Sequence, residues 1–169
     1  PTFLAGNGGY QFSQLARSIG DGVDFSAIEL PGVADDNPLP ATFDALVESV
    51  ADAILRRANG TPFAIVGYSI AGNLAHAVAE RLESLAAPPV GVVFIDTYAF
   101  AYDKTWIAIG GYLRIWGEWQ PGDLSTPRML LRASIPLGTA FEDGLLPDWQ
   151  VPESVIVVPG THTDLLYRS

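Results

Sequence analysis

Apolar residues occur along the chain in two alternating patterns, short continuous runs and stretches with helical spacing. The continuous runs are typical of buried strands and lie at residues 2–5, 25–30, 63–66, 90–95, 128–133 and 154–158. Helical spacing is found over residues 10–19, over 42–57, and from Ser69 to about residue 85. Strands that alternate with helices predict an α/β fold with a mostly parallel central sheet and helices on both faces.

Functional residues of such folds lie beyond the carboxyl ends of the strands. Four of the predicted strands are followed by residues with candidate chemistry, namely Asn7, Ser69, Asp96 and His162. Because no repeat, low-complexity tract or linker divides the 169 residues, we expect a single domain over residues 1–169.

Composition narrows the possible partners and compartments. The net charge of -10 at pH 7 argues against a nucleic-acid partner or an anionic membrane, which both select basic surfaces. The chain has no cysteine, which excludes disulfides and thiolate metal sites and suits a reducing compartment. Since no apolar run reaches membrane-spanning length and the first residues lack the charged start of a signal peptide, we expect a cytoplasmic protein.

The stretch from residue 61 to residue 76 predicts a strand, a sharp turn at Ser69 and a helix. A serine at this place suits an acyl-transfer nucleophile, because the helix N-terminus favours a developing negative charge. The motif G-x-S-x-G is matched at Gly67 and Ser69, with Ala71 in the last position and Gly72 after it. A serine that only caps the helix is the alternative interpretation.

A nucleophilic serine needs a base, and the chain has two histidines. His76 lies seven residues after Ser69, about 10 Å further along the helix axis, and is too far to accept the hydroxyl proton. We therefore expect His76 on the helix surface or in the core. His162 follows the last strand in a glycine-containing turn and is the predicted base.

The acid that orients the base is less well defined by spacing. Asp96 ends the strand after the nucleophile helix and is narrowly favoured; an aspartate that only caps the next loop is the alternative interpretation. The competing acids follow the next strand and are Glu142, Asp143 and Asp148. The oxyanion hole is predicted to use the backbone N–H groups of Ile70 and Asn7, unless the first glycine loop is an ordinary β-to-α turn.

Six segments together resemble a known family: residues 3–7, 31–40, 67–72, 91–98, 111–121 and 159–162. In this order along the chain, they resemble segments of the terminal thioesterase domains of modular type I polyketide synthases, which belong to the α/β-hydrolase superfamily. The resemblance implies an α/β-hydrolase fold and Asp96 as the acid. It also implies that the chain is one thioesterase domain excised from a larger synthase.

The resemblance implies a two-step reaction without a bound cofactor or metal. Ser69 takes a long polyketide acyl chain from the phosphopantetheine arm of an upstream acyl carrier protein domain. A hydroxyl of that chain or water then releases the product as a macrolactone or a linear acid. The resemblance further implies a possible homodimer formed through segments that are not in this chain.

The family's helical lid has little room here, because only residues 99–111 separate the Asp96 strand from the segment Tyr112 to Trp119. We expect a lid that is either shortened or missing from this numbering, and an intact mass well above 18.0 kDa would support the second possibility. Aromatic residues near the site are candidates for an acyl channel, with ordinary packing as the alternative. They are Tyr68, Tyr98, Trp106, Tyr112 and Trp116.

Two other functions fit the same residues. A stand-alone editing thioesterase or small esterase would use the same triad on short free acyl thioesters or esters. A catalytically inactive α/β-hydrolase-fold binding module is the alternative from a different class, and Ala71 is the feature that supports it.

Overall fold

Parallel strands form the centre of the fold, in an order that follows the chain. The computed structural model describes residues 12–19, 22–30, 38–98, 119–136 and 153–167. Within these ranges the sheet has four strands in the order β1-β2-β3-β4. They are β1 (Ala64–Tyr68), β2 (Gly91–Ile95), β3 (Arg128–Ala133) and β4 (Ser154–Val158). The described helices are α1 (Ser13–Ile19), α2 (Phe43–Ala58), α3 (Ala71–Ser84) and α4 (Asp164–Tyr167).

The register of the sheet brings the carboxyl ends of neighbouring strands to one edge. Tyr68 of β1 pairs with Ile95 of β2, and Ile95 pairs with Leu131 of β3. The residues that follow β1 and β2, Ser69 and Asp96, therefore lie side by side at this edge. All three strand pairs are parallel, which confirms the predicted sheet type.

Helices cover both faces of the sheet, as predicted. On one face α3 packs against β1 and β2, with Phe94 fully buried beneath it, and α2 packs against α3. On the other face Phe12, next to α1, and Leu166 of α4 pack with Ile95. None of the helices within the described ranges combines the length and the apolar composition needed to cross a bilayer.

Helix α2 follows closely from its sequence. The side chain of Thr42 accepts a hydrogen bond from the backbone N–H of Ala45, as an N-cap residue does. Asn59 ends the helix in the left-handed conformation with φ 46°. Arg56 and Arg57 lie in the last turn, where cations complement the helix dipole. The predicted start and end of this helix are confirmed.

The strand predicted at residues 25–30 is wrong, because this segment forms no strand. Its apolar side chains are used for packing, since Phe25 contacts the ring of Phe12 and Leu30 lies in the core beside α2. An apolar run indicates burial, but a strand also requires a neighbouring backbone with which to pair. The strand predicted at residues 2–5 lies outside the described residues.

A cavity of about 760 Å³ borders β1. It lies between residues 22–28, α2 and β1, and its walls are mainly apolar. Ser69, Asp96 and His162 do not line it. This cavity is therefore separate from the residues with candidate chemistry.

Candidate active site

Ser69 stands on a tight turn between β1 and α3. Its φ of 55° lies in the left-handed region, which a residue other than glycine adopts only when the surrounding structure enforces it. Two hydrogen bonds hold the turn: the Ser69 N–H donates to the Ile95 carbonyl at 2.8 Å, and its own carbonyl accepts from the Gly72 N–H at 3.0 Å. The predicted order of strand, turn and helix is confirmed.

Two glycines allow α3 to begin directly against the sheet. A Cβ on Gly67 would lie 2.5 Å from the Gly72 Cα, and one on Gly72 would lie 2.0 Å from the Thr97 Oγ1. Both contacts are far closer than carbon atoms tolerate. Ala71 lies between these two glycines in the sequence and is buried, but the close contacts described here fall on the glycines. The steric demand therefore falls on Gly67 and Gly72, which explains why the motif accommodates alanine at position 71.

Asp96 and His162 form a direct hydrogen-bonded pair. The imidazole Nδ1 lies 2.7 Å from the Asp96 Oδ2, and both side chains are buried. Because a carboxylate accepts hydrogen bonds, the proton belongs on Nδ1, which leaves Nε2 with the lone pair of a base. The sequence separation of 66 residues is bridged by the sheet, since Asp96 follows β2 and His162 follows β4.

The backbone around Asp96 holds its carboxylate in place. Its φ of 42° is left-handed, and its N–H donates to the Leu131 carbonyl at 2.7 Å. The Ala133 N–H donates to the Asp96 Oδ1 at 2.9 Å, which leaves the Oδ2 for His162. The neighbouring strand therefore holds the carboxylate through contacts that do not involve the imidazole.

The turn that carries His162 is held by local hydrogen bonds. The Asp164 carboxylate accepts from the N–H and the hydroxyl of Thr161, each at 2.8 Å. The Gly160 N–H donates to the Ser134 hydroxyl at 3.0 Å, which ties the turn to the end of β3. Gly160 has φ 129°, and a Cβ there would lie 2.8 Å from the Asp164 Cβ. Glycine at this position is therefore required for the turn.

Two tyrosines contact the Asp96–His162 pair. The Tyr68 ring stacks on the imidazole with a centroid distance of 4.6 Å and an interplanar angle of 24°, and its hydroxyl donates to the His162 carbonyl at 3.1 Å. The Tyr98 hydroxyl donates to the Asp96 Oδ2 at 3.3 Å. The sequence places both residues beside predicted site residues, but it contains no signal for these contacts.

Ser69 is less tightly connected than Asp96 and His162. In the described part of the chain, no hydrogen bond joins the Ser69 Oγ to His162. The Ile70 backbone N–H likewise has no acceptor within the described ranges. Active-site hydrogen bonds often tighten only when substrate is bound. The structure therefore brings Asp96 and His162 into contact and places Ser69 at the adjacent strand end.

Several predicted site residues lie outside the described residues. They are Asn7, Trp106, Tyr112 and Trp116, together with the competing acids Glu142, Asp143 and Asp148. Among the residues that are described, no group of three or more His, Asp or Glu side chains is arranged to hold a metal ion.

His76 lies in the core, which is one of the two predicted placements. It is 2% exposed, and its Nε2 donates to the Gly122 carbonyl at 3.1 Å. Its ring lies between Phe94 and Trp119, with centroid distances of 6.3 and 6.0 Å. This histidine therefore joins α3 to the segment that leads into β3.

Comparison with known proteins agrees with the geometry. The family model of the thioesterase domain matches residues 3–106, which is more than half of the chain. The polyketide synthase GfsE of Streptomyces halstedii is 32% identical over an alignment of 193 residues, which covers 98% of this chain. The chain spans only 5% of the length of GfsE. The alignment is longer than the 169 residues of this chain, so the relative contains residues that have no counterpart here.

Solved structures with the same fold include RedJ, a thioesterase from the prodiginine biosynthetic pathway in Streptomyces coelicolor. It has a TM-score of 0.70 and 20% identity, with 96% of this chain and 77% of RedJ covered. The type II thioesterase BorB from the borrelidin biosynthetic cluster has a TM-score of 0.68 and 20% identity, with 95% of this chain and 81% of BorB covered. These similarities confirm the predicted α/β-hydrolase fold.

Proposed function

Since the chain belongs to the thioesterase domain family, we propose that it is a serine thioesterase that releases a polyketide chain from its carrier. The observation that carries this proposal is the hydrogen bond between Asp96 and His162, formed beside the turn that holds Ser69. An imidazole held by a buried carboxylate at the end of a parallel sheet is arranged for acyl transfer.

In the first step, the Ser69 Oγ attacks the carbonyl carbon of a thioester carried on the phosphopantetheine arm of an acyl carrier protein. The serine proton moves to the His162 Nε2 as the new C–O bond forms. The C–S bond then breaks, the proton passes from the imidazolium to the leaving thiolate sulfur, and an acyl-enzyme ester remains. Asp96 keeps the proton on Nδ1 and stabilises the imidazolium while it exists.

The oxyanion of each tetrahedral intermediate accepts hydrogen bonds from backbone N–H groups. We assign this role to Ile70, whose N–H has no acceptor within the described ranges and whose position at the start of α3 adds the favourable helix dipole. The second donor is the backbone N–H of Asn7 in the first glycine loop. Loss of one such donor costs about 3 kcal/mol of transition-state stabilisation.

The second step releases the product. His162 removes a proton from a hydroxyl of the bound chain or from water, and the oxygen attacks the ester carbonyl. The ester C–O bond to Ser69 then breaks, and the serine oxygen recovers the proton from the imidazolium. Attack by the chain's own hydroxyl gives a macrolactone, whereas attack by water gives a linear acid.

The names of the relatives support a proposal for the partner and the substrate. GfsE is named as a polyketide synthase, and this chain corresponds to a small part of it. We therefore propose an upstream acyl carrier protein domain as the partner and a long polyketide acyl chain as the substrate. Tyr98, Trp106, Tyr112 and Trp116 remain the candidates for the acyl channel, and a homodimer through other segments remains a proposal.

Editing of short acyl chains is the second candidate function. It is favoured by the structural likeness to BorB, which is named as a type II thioesterase and is covered over 81% of its chain. Both functions use the same serine, histidine and aspartate. What separates them is the length of the acyl chain that the enzyme prefers. An inactive binding module would keep the fold without the reaction.

Two measurements separate these functions. We expect a fluorophosphonate to label the wild-type protein at Ser69 and to leave Ser69→Ala unlabelled, as found by peptide mass spectrometry. No adduct on folded wild-type protein would favour the binding module.

Mass spectrometry of products from hydroxyacyl N-acetylcysteamine thioesters of increasing length then identifies the reaction. Chain release predicts a kcat/KM that rises with chain length and a ring or linear acid from long chains. Editing predicts the highest kcat/KM with the shortest chains.

A further inference from the structure

Tyr68 contacts the proposed base in two different ways. Its ring stacks on the imidazole at 4.6 Å, and its hydroxyl donates to the backbone carbonyl of the same residue at 3.1 Å. We propose that Tyr68 is a positioning residue that sets the orientation of His162, beyond any contribution to an acyl channel. The inference rests on the proposed function, because it concerns the base of that reaction.

The hydrogen bond to Asp96 does not by itself determine where the Nε2 points. The Asp96 Oδ2 fixes one atom of the imidazole, the Nδ1 at 2.7 Å, and leaves the ring free to tilt about that contact. An aromatic ring stacked at 24° restricts this tilt, because offset stacking is favourable only over a narrow range of geometries. The Tyr68 ring therefore supplies the restraint that the carboxylate lacks.

The Tyr68 hydroxyl restrains the backbone of the same residue. The turn around His162 is tied by Thr161, Asp164 and Gly160, which lie on either side of it. The bond from the Tyr68 hydroxyl reaches His162 itself and joins residues that are 94 positions apart in the chain. It therefore connects the end of β1 directly to the turn after β4.

The position of Tyr68 in the chain gives this contact its importance. Tyr68 is the last residue of β1, and Ser69 follows it on the turn. A single backbone segment thus carries the nucleophile and the group that orients the base. A shift at the end of β1 therefore moves Ser69 and the Tyr68 side chain together. Tyr98 differs, because its hydroxyl bonds to Asp96 and its ring lies further from the imidazole, at 6.4 Å and tilted by 44°.

Positioning and channel lining predict different kinetics. Misorientation of the base slows the proton transfer for every substrate, so it lowers kcat and leaves KM unchanged. Loss of a channel contact weakens binding of the acyl chain, so it raises KM, and it does so more for long chains than for short ones.

The test compares Tyr68→Phe, which keeps the ring and loses the hydroxyl, with Tyr68→Leu, which loses both contacts. Each variant is assayed with a short and a long hydroxyacyl N-acetylcysteamine thioester. We expect kcat to fall about tenfold in Tyr68→Phe and about a hundredfold in Tyr68→Leu, since a misplacement of about 1 Å costs roughly a hundredfold. KM stays within about twofold, and the loss is the same for both chain lengths.

A spectroscopic measurement reports on the base directly. The Nδ1 proton shared with Asp96 is expected as a low-field proton NMR signal, which His162→Gln removes. This signal broadens by exchange with water in Tyr68→Leu and less in Tyr68→Phe. Val47→Ala, on the buried face of α2, is the control for general destabilisation and keeps the signal.

Two outcomes would overturn the inference. One is a KM that rises with acyl length while kcat is unchanged, which would make Tyr68 a channel residue only. The other is Tyr68→Phe and Tyr68→Leu with wild-type kcat and an unchanged low-field signal. If Tyr68→Leu does not fold, Tyr68→Phe alone decides between these results. A wild-type protein that a fluorophosphonate does not label would contradict the proposed function instead.

Discussion

Within the described ranges, the Asp96 carboxylate receives three donors with different roles. The Ala133 N–H binds the Oδ1, whereas the His162 Nδ1–H and the Tyr98 hydroxyl share the Oδ2. The Ala133 contact comes from the backbone of β3 and anchors the carboxylate, so the Oδ2 is presented to the imidazole in a fixed orientation. The group at the Oδ2 position therefore determines which imidazole nitrogen of His162 carries the proton.

Asp96→Asn tests that role. The Ala133 N–H still needs an acceptor, so the asparagine oxygen takes the Oδ1 position and its NH₂ faces His162. An NH₂ donor there selects the tautomer with the proton on Nε2, which cannot accept a proton from Ser69. We expect kcat to fall about 10³- to 10⁴-fold, measured with a hydroxyacyl N-acetylcysteamine thioester, while the thermal unfolding midpoint changes little. A rate within a few-fold of wild type, together with an inactive Asp143→Asn, would show that Asp96 is not the acid.

The site residues differ in how far the sequence could define them. His162 is recognisable because the chain has only one other histidine and that one lies too far along α3. Asp96 is narrowly favoured by spacing, and its contact with His162 is an observation that spacing could not supply. The stacking of Tyr68 on His162 depends on tertiary structure between distant parts of the chain, and no local pattern encodes it.

At the scale of elements, α3 is the helix on which the site depends. It carries the Ser69 turn at its start, and its outer side holds the segment that leads into β3. Glu83 accepts hydrogen bonds from the backbone N–H groups of Ser125 and Thr126, at 3.2 and 2.6 Å, and from the Thr126 hydroxyl at 2.7 Å. His76 holds the same segment at Gly122. These contacts fix where the chain enters β3, and β3 in turn anchors Asp96.

Glu83 gives this contact a dependence on pH. Burial by itself raises the pKa of the Glu83 carboxyl, but the hydrogen bonds from Thr126 and Ser125 together outweigh burial, and the pKa is lowered from 4.5. A carboxyl whose pKa is lower in the folded state stabilises the fold above its unfolded pKa. This stabilisation is lost as the pH falls through the folded pKa.

We therefore expect Glu83→Gln to be less stable than wild type at pH 7 by on the order of 1 kcal/mol, a value reduced by solvent screening. The difference should shrink as the pH falls below 4.5. Urea unfolding at a series of pH values measures it. Asp52→Asn, at an exposed position of α2, is the control and should change the free energy of unfolding by less than about 0.5 kcal/mol throughout. A difference that is independent of pH would contradict the role of the Glu83 charge.

The elements that could be predicted are those whose structure is determined locally. Helix α2 has its own cap and apolar face, and β3 and β4 occupy the predicted residues. Residues 25–30 have the same apolar character, but whether they form a strand depends on whether another backbone lies beside them. That condition is a property of the assembled sheet, and a pattern along the chain does not contain it.

At the scale of the whole molecule, the domain is acidic and its proposed partner is a carrier protein, which we expect to be acidic as well. The net charge of -10 repels such a partner when the two meet by diffusion. Within one polypeptide, a tether raises the effective concentration of the carrier to roughly the millimolar range. Recognition in that context needs no attraction between the charges, which fits a domain that corresponds to 5% of GfsE.

Salt dependence separates tethered from diffusive recognition. For an acyl carrier protein added in trans, we expect kcat/KM to rise as sodium chloride increases, because screening at about 0.15 M limits charge interactions to roughly 8 Å. The neutral N-acetylcysteamine thioester of the same acyl chain is the control, and its kcat/KM should be unchanged by salt. Both are measured by the release of free thiol. A kcat/KM that falls with salt for the carrier protein alone would instead indicate a basic docking patch, and the tether would then not be the means by which the two domains meet.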